Sequence, residues 1–243
     1  MRSSKQNPIN SRNSNRSLTR RATVMVCAAM LSVGLCGCTT SSDGTDSDDG
    51  LGGAKLASSL QAYATQLLEA DNGSMDTEQR DILQRVAETG EVSVSDYEAA
   101  WQRYQTCVVD KGYNRPQLLT YSNGIHQANS ETMTAEQAAD LTYAEKMAKD
   151  YDACMIAHVD GINALYMAQV ANPNLYANHD EGAVDCLRRG GLVPKSYTLE
   201  DYREDQDKMA HKSDGKDPET GLDMDNPDVL ACMAANGYMF THP

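Results

Sequence analysis

From residue 54 onward, apolar and polar positions alternate with the period of a helix. Segments 55–70 (KLASSLQAYATQLLEA) and 77–88 (TEQRDILQRVAE) place apolar residues three and four apart, and Gly90 stops the second. Ser93 and Ser95 start a third helix, with Asp96 and Glu98 placed to complete a capping box. Tyr97, Trp101, Tyr104 and Val108 then fall at i, i+4, i+7 and i+11, one narrow stripe on a helix predicted to end near Lys111-Gly112. Thr134-Ala135-Glu136-Gln137 repeats the capping box and opens a helix through about Val159, with Leu141, Ala148, Tyr151 and Met155 facing inward. Continuation past Gly161 toward Pro173 and a kink at Gly161 are both compatible with the pattern. Short helices follow over 183–189, 199–211 and 228–236. Period-two alternation of β-branched residues is absent, so the expected class is all-α.

Before residue 54 the pattern is different. The first 21 residues are polar and basic, and 22–35 is an apolar run too short to span a bilayer comfortably. Leu35-Cys36-Gly37-Cys38 closes that run. This segment resembles the bacterial lipoprotein signal, the lipobox, with Cys38 as the modified residue and small Gly37 before it. Cys36 is the poorer acceptor, because bulky Leu35 precedes it. The resemblance implies a cleaved signal peptide over 1–37 and a diacylglyceryl group on the Cys38 sulfur. Two acyl chains cross the threshold for stable membrane anchoring. Thr19-Arg20-Arg21 is similar to a twin-arginine export signal, but Thr23 stands where that signal carries a hydrophobic residue, which favours ordinary export. The expected location is the outer face of the cell membrane.

Segment 39–53 (TTSSDGTDSDDGLGG) buries too little apolar surface to offset the entropy of ordering, and reads as a flexible acidic stalk. With the lipidated cysteine it makes up 38–53, and the helical ectodomain is 54–243. A random coil of this length holds the body roughly 20 Å from its anchor.

Charge narrows the partners. The chain carries 21 Lys+Arg against 35 Asp+Glu, a net charge of −14. Residues 1–37 contribute six basic residues and no acid, leaving 15 basic against 35 acidic, a net of −20, in the remainder. Such a surface repels phosphate backbones, which excludes nucleic acid. Five Ile, one Phe and one Trp are too few for a β-rich or α/β core.

Beyond the signal and Cys38, four cysteines remain: Cys107, Cys154, Cys186 and Cys232. An even number in an exported chain reads as disulfides, with three possible connectivities. Spacing favours Cys107–Cys154 and Cys186–Cys232, 47 and 46 positions apart. Gly112 follows Cys107 by five residues, Gly191 follows Cys186 likewise, and Cys154-Met155-Ile156-Ala157 mirrors Cys232-Met233-Ala234-Ala235. These echoes point to two related, internally stapled helical hairpins. Chance similarity among Ala-rich helices is the alternative. No Cys-x-x-Cys pair suggests zinc, and the acidic setting does not favour a catalytic thiol.

Thr89-Gly90-Glu91-Val92 with Asp96-Tyr97-Glu98-Ala99, then Tyr104, Cys107, Gly112 and Tyr113, resembles uncharacterised secreted or lipid-anchored proteins of actinobacteria. Cys232-Met233-Ala234-Ala235-Asn236-Gly237-Tyr238 is similar to their Cys-x-x-x-x-Gly-Tyr motif. The resemblance implies a Gram-positive envelope and a cysteine-stapled helical body, and carries no activity.

No hydrolase, zinc-protease, phosphate-loop or dinucleotide motif is present. His126, His158, His179, His211 and His242 are scattered; His158 with Asp160, and His179 with Asp180 and Glu181, come nearest to constellations. Oxygens recur through 214–225 as in a calcium loop, but no register supplies the required Gly and Glu, and an acidic loop capping the next helix is the plainer reading. Tyr113, Tyr121, Tyr166, Tyr176, Tyr197 and Tyr238 could meet a peptide or glycan, or seal a core short of Phe. The expectation is therefore a cell-surface lipoprotein with a non-catalytic binding ectodomain for a protein, peptide or glycan, without cofactor or metal. The alternative is an envelope hydrolase using carboxylates that the sequence does not single out. A periplasmic-type ligand receptor is disfavoured, because the chain lacks strand–helix alternation.

Overall fold

A computed structural model describes residues 51–129, 133–210 and 220–240. The signal region, Cys38, residues 39–50 of the stalk, residues 214–219 of the acidic loop, His211 and His242 lie outside them. Within the described residues the order is α1 (Leu60–Ala70), α2 (Thr77–Thr89), α3 (Val94–Asp110), β1 (Leu118–Thr120), β2 (His126–Ala128), α4 (Ala135–Ala139), α5 (Leu141–His158), α6 (Asp160–Ala171), α7 (His179–Arg189), α8 (Leu199–Ala210) and α9 (Pro227–Ala234). None of these helices is long and apolar enough to cross a membrane.

Capping side chains decide where most helices begin. Ser59 accepts from the Ala62 N–H, so α1 starts later than its periodicity suggests. The residues before it are extended instead: Leu56 N–H donates to Leu175 O (2.7 Å) and Ala177 N–H to Ala54 O (2.8 Å), around a bridge pairing Lys55 with Tyr176. Asp76 caps α2, and Gly90, at φ 77°, ends it. Ser93 caps α3, but the expected capping box stays open. Asp96 pairs with Arg85 at 2.9 Å and Glu98 with His126 at 2.8 Å.

The predicted helix from Thr134 to Val159 is two helices. The Thr134–Gln137 capping box forms, yet Asp140 turns out of the helical region and caps α5 through the Thr142 and Tyr143 N–H groups. This rotation leaves Leu141 73% exposed and Ala148 exposed, so the inward face expected for this helix holds only at Tyr151 and Met155, with Cys154 fully buried. A second break comes at Val159, before the glycine. There α2 holds both helix ends. Asp76 N–H donates to Ala157 O (2.9 Å), and Gln79 Nε2 donates to Ile156 O and Ala157 O (both 2.8 Å). Gln79 Oε1 then accepts from Gly161 N–H at 2.9 Å. Gly161 packs closely there, since a Cβ would lie 3.0 Å from Leu83 Cδ2 and 3.3 Å from Gln79 Oε1.

One element departs from the all-helical pattern. β1 and β2 form an antiparallel hairpin in the register Leu118–Ala128, Leu119–Gln127 and Thr120–His126, turned at Asn123-Gly124. Strands of three residues are too short to show alternation. The hairpin docks on the C-terminal part of the chain: Asn123 Nδ2 donates to Ala231 O (3.2 Å), Ser122 Oγ to Asp228 (2.6 Å) and Gln127 Nε2 to Phe240 O (3.0 Å).

The disulfides are Cys107–Cys154 and Cys186–Cys232. Three of these cysteines stand five residues before a left-handed glycine: Gly112 (φ 93°), Gly191 (φ 65°) and Gly237 (φ 96°). In each case the next N–H returns to the carbonyl of the residue after the cysteine: Tyr113 to Val108, Leu192 to Leu187, Tyr238 to Met233. Val108, Leu187 and Met233 are all buried. The same helix ending thus places a buried apolar side chain beside each of these bridged cysteines. A capping pair also recurs, because Thr198 and Asp201 exchange N–H bonds at the start of α8 as Thr134 and Gln137 do at α4.

Tyr97, Trp101, Tyr104 and Val108 form the buried stripe expected of α3. Tyr97 stacks on Tyr166 with ring centroids 3.9 Å apart, donates its hydroxyl to Asn163 and accepts the His126 N–H. Tyr121, Tyr166, Tyr176 and Tyr197 are likewise buried, while Tyr113 and Tyr238 pack half-buried against the core. The tyrosines at helix ends seal a core poor in Phe and do not form an exposed patch.

Candidate functional site

Along α3, the face opposite the buried stripe forms one wall of a groove of about 690 Å³. Its lining is Ala99, Gln102, Arg103, Thr106, Cys107, Asp110 and Lys111, successive turns of one helix, together with His158 at the end of α5. The Cys107–Cys154 bridge ties the two helices beside it. Arg103 and Lys111 stand one turn before and one turn after Cys107.

Asp76 organises the end of the groove. Its Oδ1 accepts the Gln79 N–H at 2.6 Å as the α2 cap, and its Oδ2 lies 2.6 Å from His158 Nδ1. A carboxylate at Nδ1 fixes the proton there and turns Nε2 toward the groove. Arg103 Nε is 3.8 Å from the same Asp76 oxygen, close enough for ion pairing and too far for a hydrogen bond. Arg103 Nε and Nη2 are buried without a hydrogen-bond acceptor among the described residues. At the far end Lys111 lies 3.3 Å from Asp150, which also binds Lys146 (2.6 Å) and accepts the Tyr113 hydroxyl (2.7 Å). Lys146, then Tyr113, then Lys111 hold the Asp150 carboxyl down at about 2.

His158 was one of the residues singled out in the sequence, but its partner is Asp76 and not Asp160. Asp160 opens α6, and burial with the nearby Asp152 charge raises its pKa. His126 is structural, with Nε2 on Glu98 and Nδ1 on Thr120, both at 2.8 Å. His179 is exposed at the start of α7 beside Gly237, while Asp180 pairs with Arg203 and Glu181 is buried. No group of three or more His, Cys, Asp or Glu side chains among the described residues could hold a metal. In the described part of the acidic loop, Asp223 accepts the Asp225 N–H, and the cap of α9 is Asn226 rather than an acid.

Asp76, Gln79 and Arg103 were not singled out in the sequence. The available signal was the i, i+4, i+8 series Arg103, Cys107, Lys111, which sets two cations around a cysteine on one helix face. A larger hollow of about 830 Å³ lies between the extended segment before α1 and the 173–175 loop. Its one ionisable lining residue, Lys55, lies 3.3 Å over the Tyr176 ring, so that hollow offers little chemistry.

No family model, curated protein sequence or solved structure matches this chain. The functional reading therefore rests on the groove itself. It offers a carboxylate-oriented imidazole, the exposed part of a guanidinium, and amide and hydroxyl side chains along one helix. Thr106 Oγ1 donates to Gln102 O at 2.9 Å, and Cys107 is bridged, so no activated nucleophile stands beside the imidazole among the described residues.

Proposed function

We propose that this chain is a lipoprotein held by acylated Cys38 on the outer face of the cell membrane, and that its helical ectodomain is a non-catalytic binding module with the α3 groove as its site. The observation that carries the reading is the Asp76–His158–Arg103 cluster, where directed donors line a groove without an activated nucleophile. Photo-crosslinking in living cells tests it. A benzophenone side chain replacing Gln102 in the groove should give a discrete adduct that the same group at Glu200 on α8 does not give. Identical patterns from both positions would overturn the assignment of the site. Cys38→Ser should move the protein into the medium, and its retention in membranes would overturn the anchor.

The Asp76–His158 pair supports a second reading, in which the imidazole activates water for hydrolysis of an envelope polymer. That reading requires release of soluble fragments by the native chain, lost in His158→Ala and kept in His179→Ala.

A further inference from the structure

We infer that the α3 groove takes an extended peptide and holds one of its carboxylates at the Arg103–His158 end; this rests on the groove being the binding site. Length and lining point to a chain-like ligand. Ala99 to Lys111 spans twelve helical steps, about 18 Å, which matches roughly five residues of extended peptide. The lining contains no Tyr, Trp or Phe, so a sugar ring would find no aromatic plane on which to rest its apolar face. Gln102 offers an amide to a peptide backbone midway along the groove.

Charge fixes the end that recognises the carboxylate. Asp76 is already spent on two partners, the Gln79 N–H and His158 Nδ1. Arg103 therefore keeps its charge without a hydrogen-bonded counter-ion, although buried donors of this kind are nearly always satisfied. Nε and Nη2 have no accessible surface, so what a ligand can reach is the rest of the Arg103 guanidinium, the side chain being 25% exposed, with His158 21% exposed beside it in the groove lining. Facing them are Asp76, and at the far end Asp110 and a Lys111 already engaged by Asp150. Arg103 and His158 are the cationic groups at this end and Asp76 the carboxylate, so the cluster has at most one surplus positive charge. A single carboxylate matches that surplus, whereas a dianionic phosphate would exceed it.

The test is fluorescence polarisation of the full chain with a labelled, end-blocked Gly-Gly-Glu-Gly-Gly peptide, its Gln counterpart, and the same peptide with phosphoserine, a dianionic monoester, in place of Glu. The Glu peptide should bind at least tenfold more tightly than either of the others. Arg103→Gln should weaken it about tenfold or more, the loss expected when a charge-assisted hydrogen bond is removed. Gln102→Glu alters only an exposed side chain and should weaken binding by repulsion, with the urea midpoint unchanged. Equal binding of the Gln peptide, stronger binding of the phosphoserine peptide, or full affinity in both variants would overturn the inference. If the Glu peptide fails while the Gln102 crosslink persists, the ligand class falls and the site stands; if the crosslink is also lost, the site itself falls.

Discussion

Replacing Gln79 by Met tests the central joint of the fold. Gln79 has no exposed surface, and its amide serves three backbone groups: the Ile156 and Ala157 carbonyls that end α5, and the Gly161 N–H that opens α6. Methionine has nearly the same length and volume, so little cavity or overpacking enters the comparison. Ala157 O keeps the Asp76 N–H at 2.9 Å, whereas Ile156 O and Gly161 N–H lose the partners described for them. The buried Gly161 N–H left without a partner costs about 1–3 kcal/mol, while the carbonyl of exposed Ile156 turns to water and adds little, so the total loss is about 1–3 kcal/mol. Domains of this size are stable by about 5–15 kcal/mol, so the urea midpoint should fall steeply with the slope unchanged. Amide exchange at Gly161 should accelerate even where the rest of the fold stays protected. A midpoint shift worth less than about 0.5 kcal/mol would refute the argument, because the amide would then not be what holds the break.

Two other outcomes follow from the same geometry. The folded-state pKa of Asp150 lies below its unfolded value, so its contribution is present above about pH 4 and fades as pH falls toward about 2. Melting temperature should drop across that window and drop less in Asp150→Asn, with a residual slope from Asp71, which the Met75 N–H and Arg80 also depress; identical slopes would contradict the assignment. The two disulfides close loops of 47 and 46 positions, and chain entropy assigns each about 4 kcal/mol. Cys107→Ala/Cys154→Ala and Cys186→Ala/Cys232→Ala should therefore destabilise equally by urea titration, and a difference above about 1 kcal/mol would show local packing outweighing loop closure.

Elements with local punctuation were legible in the sequence. α2 and α3 lie where Gly90 and Ser93 put them, and the cysteine pairs follow their spacing. What escaped was imposed across the fold. Gly161 left a kink open without deciding it, and the break falls two residues earlier, at Val159, where Gln79, about eighty positions upstream, supplies the missing hydrogen bonds. The hairpin carried its Asn123-Gly124 signal, but three-residue strands gave no alternation to support it. The site divides the same way. His158 could be picked out, while Asp76 read only as an acid before a helix, because its pairing depends on α2 meeting the end of α5.

The place where the chain enters the fold has a mechanical consequence. Tension applied through the N-terminal segment passes from buried Leu51 to the two backbone bonds around Lys55 and Tyr176, and then along α1 and α2. Neither described bridge crosses that stretch, so it can be drawn out, whereas everything between Cys107 and Cys154 is a closed covalent ring that cannot lengthen. A load shared between that entry point and a ligand seated near Arg103 would thus stretch only the first two helices and the start of the third, leaving the bridged part of the groove intact while the entry segment acts as the spring.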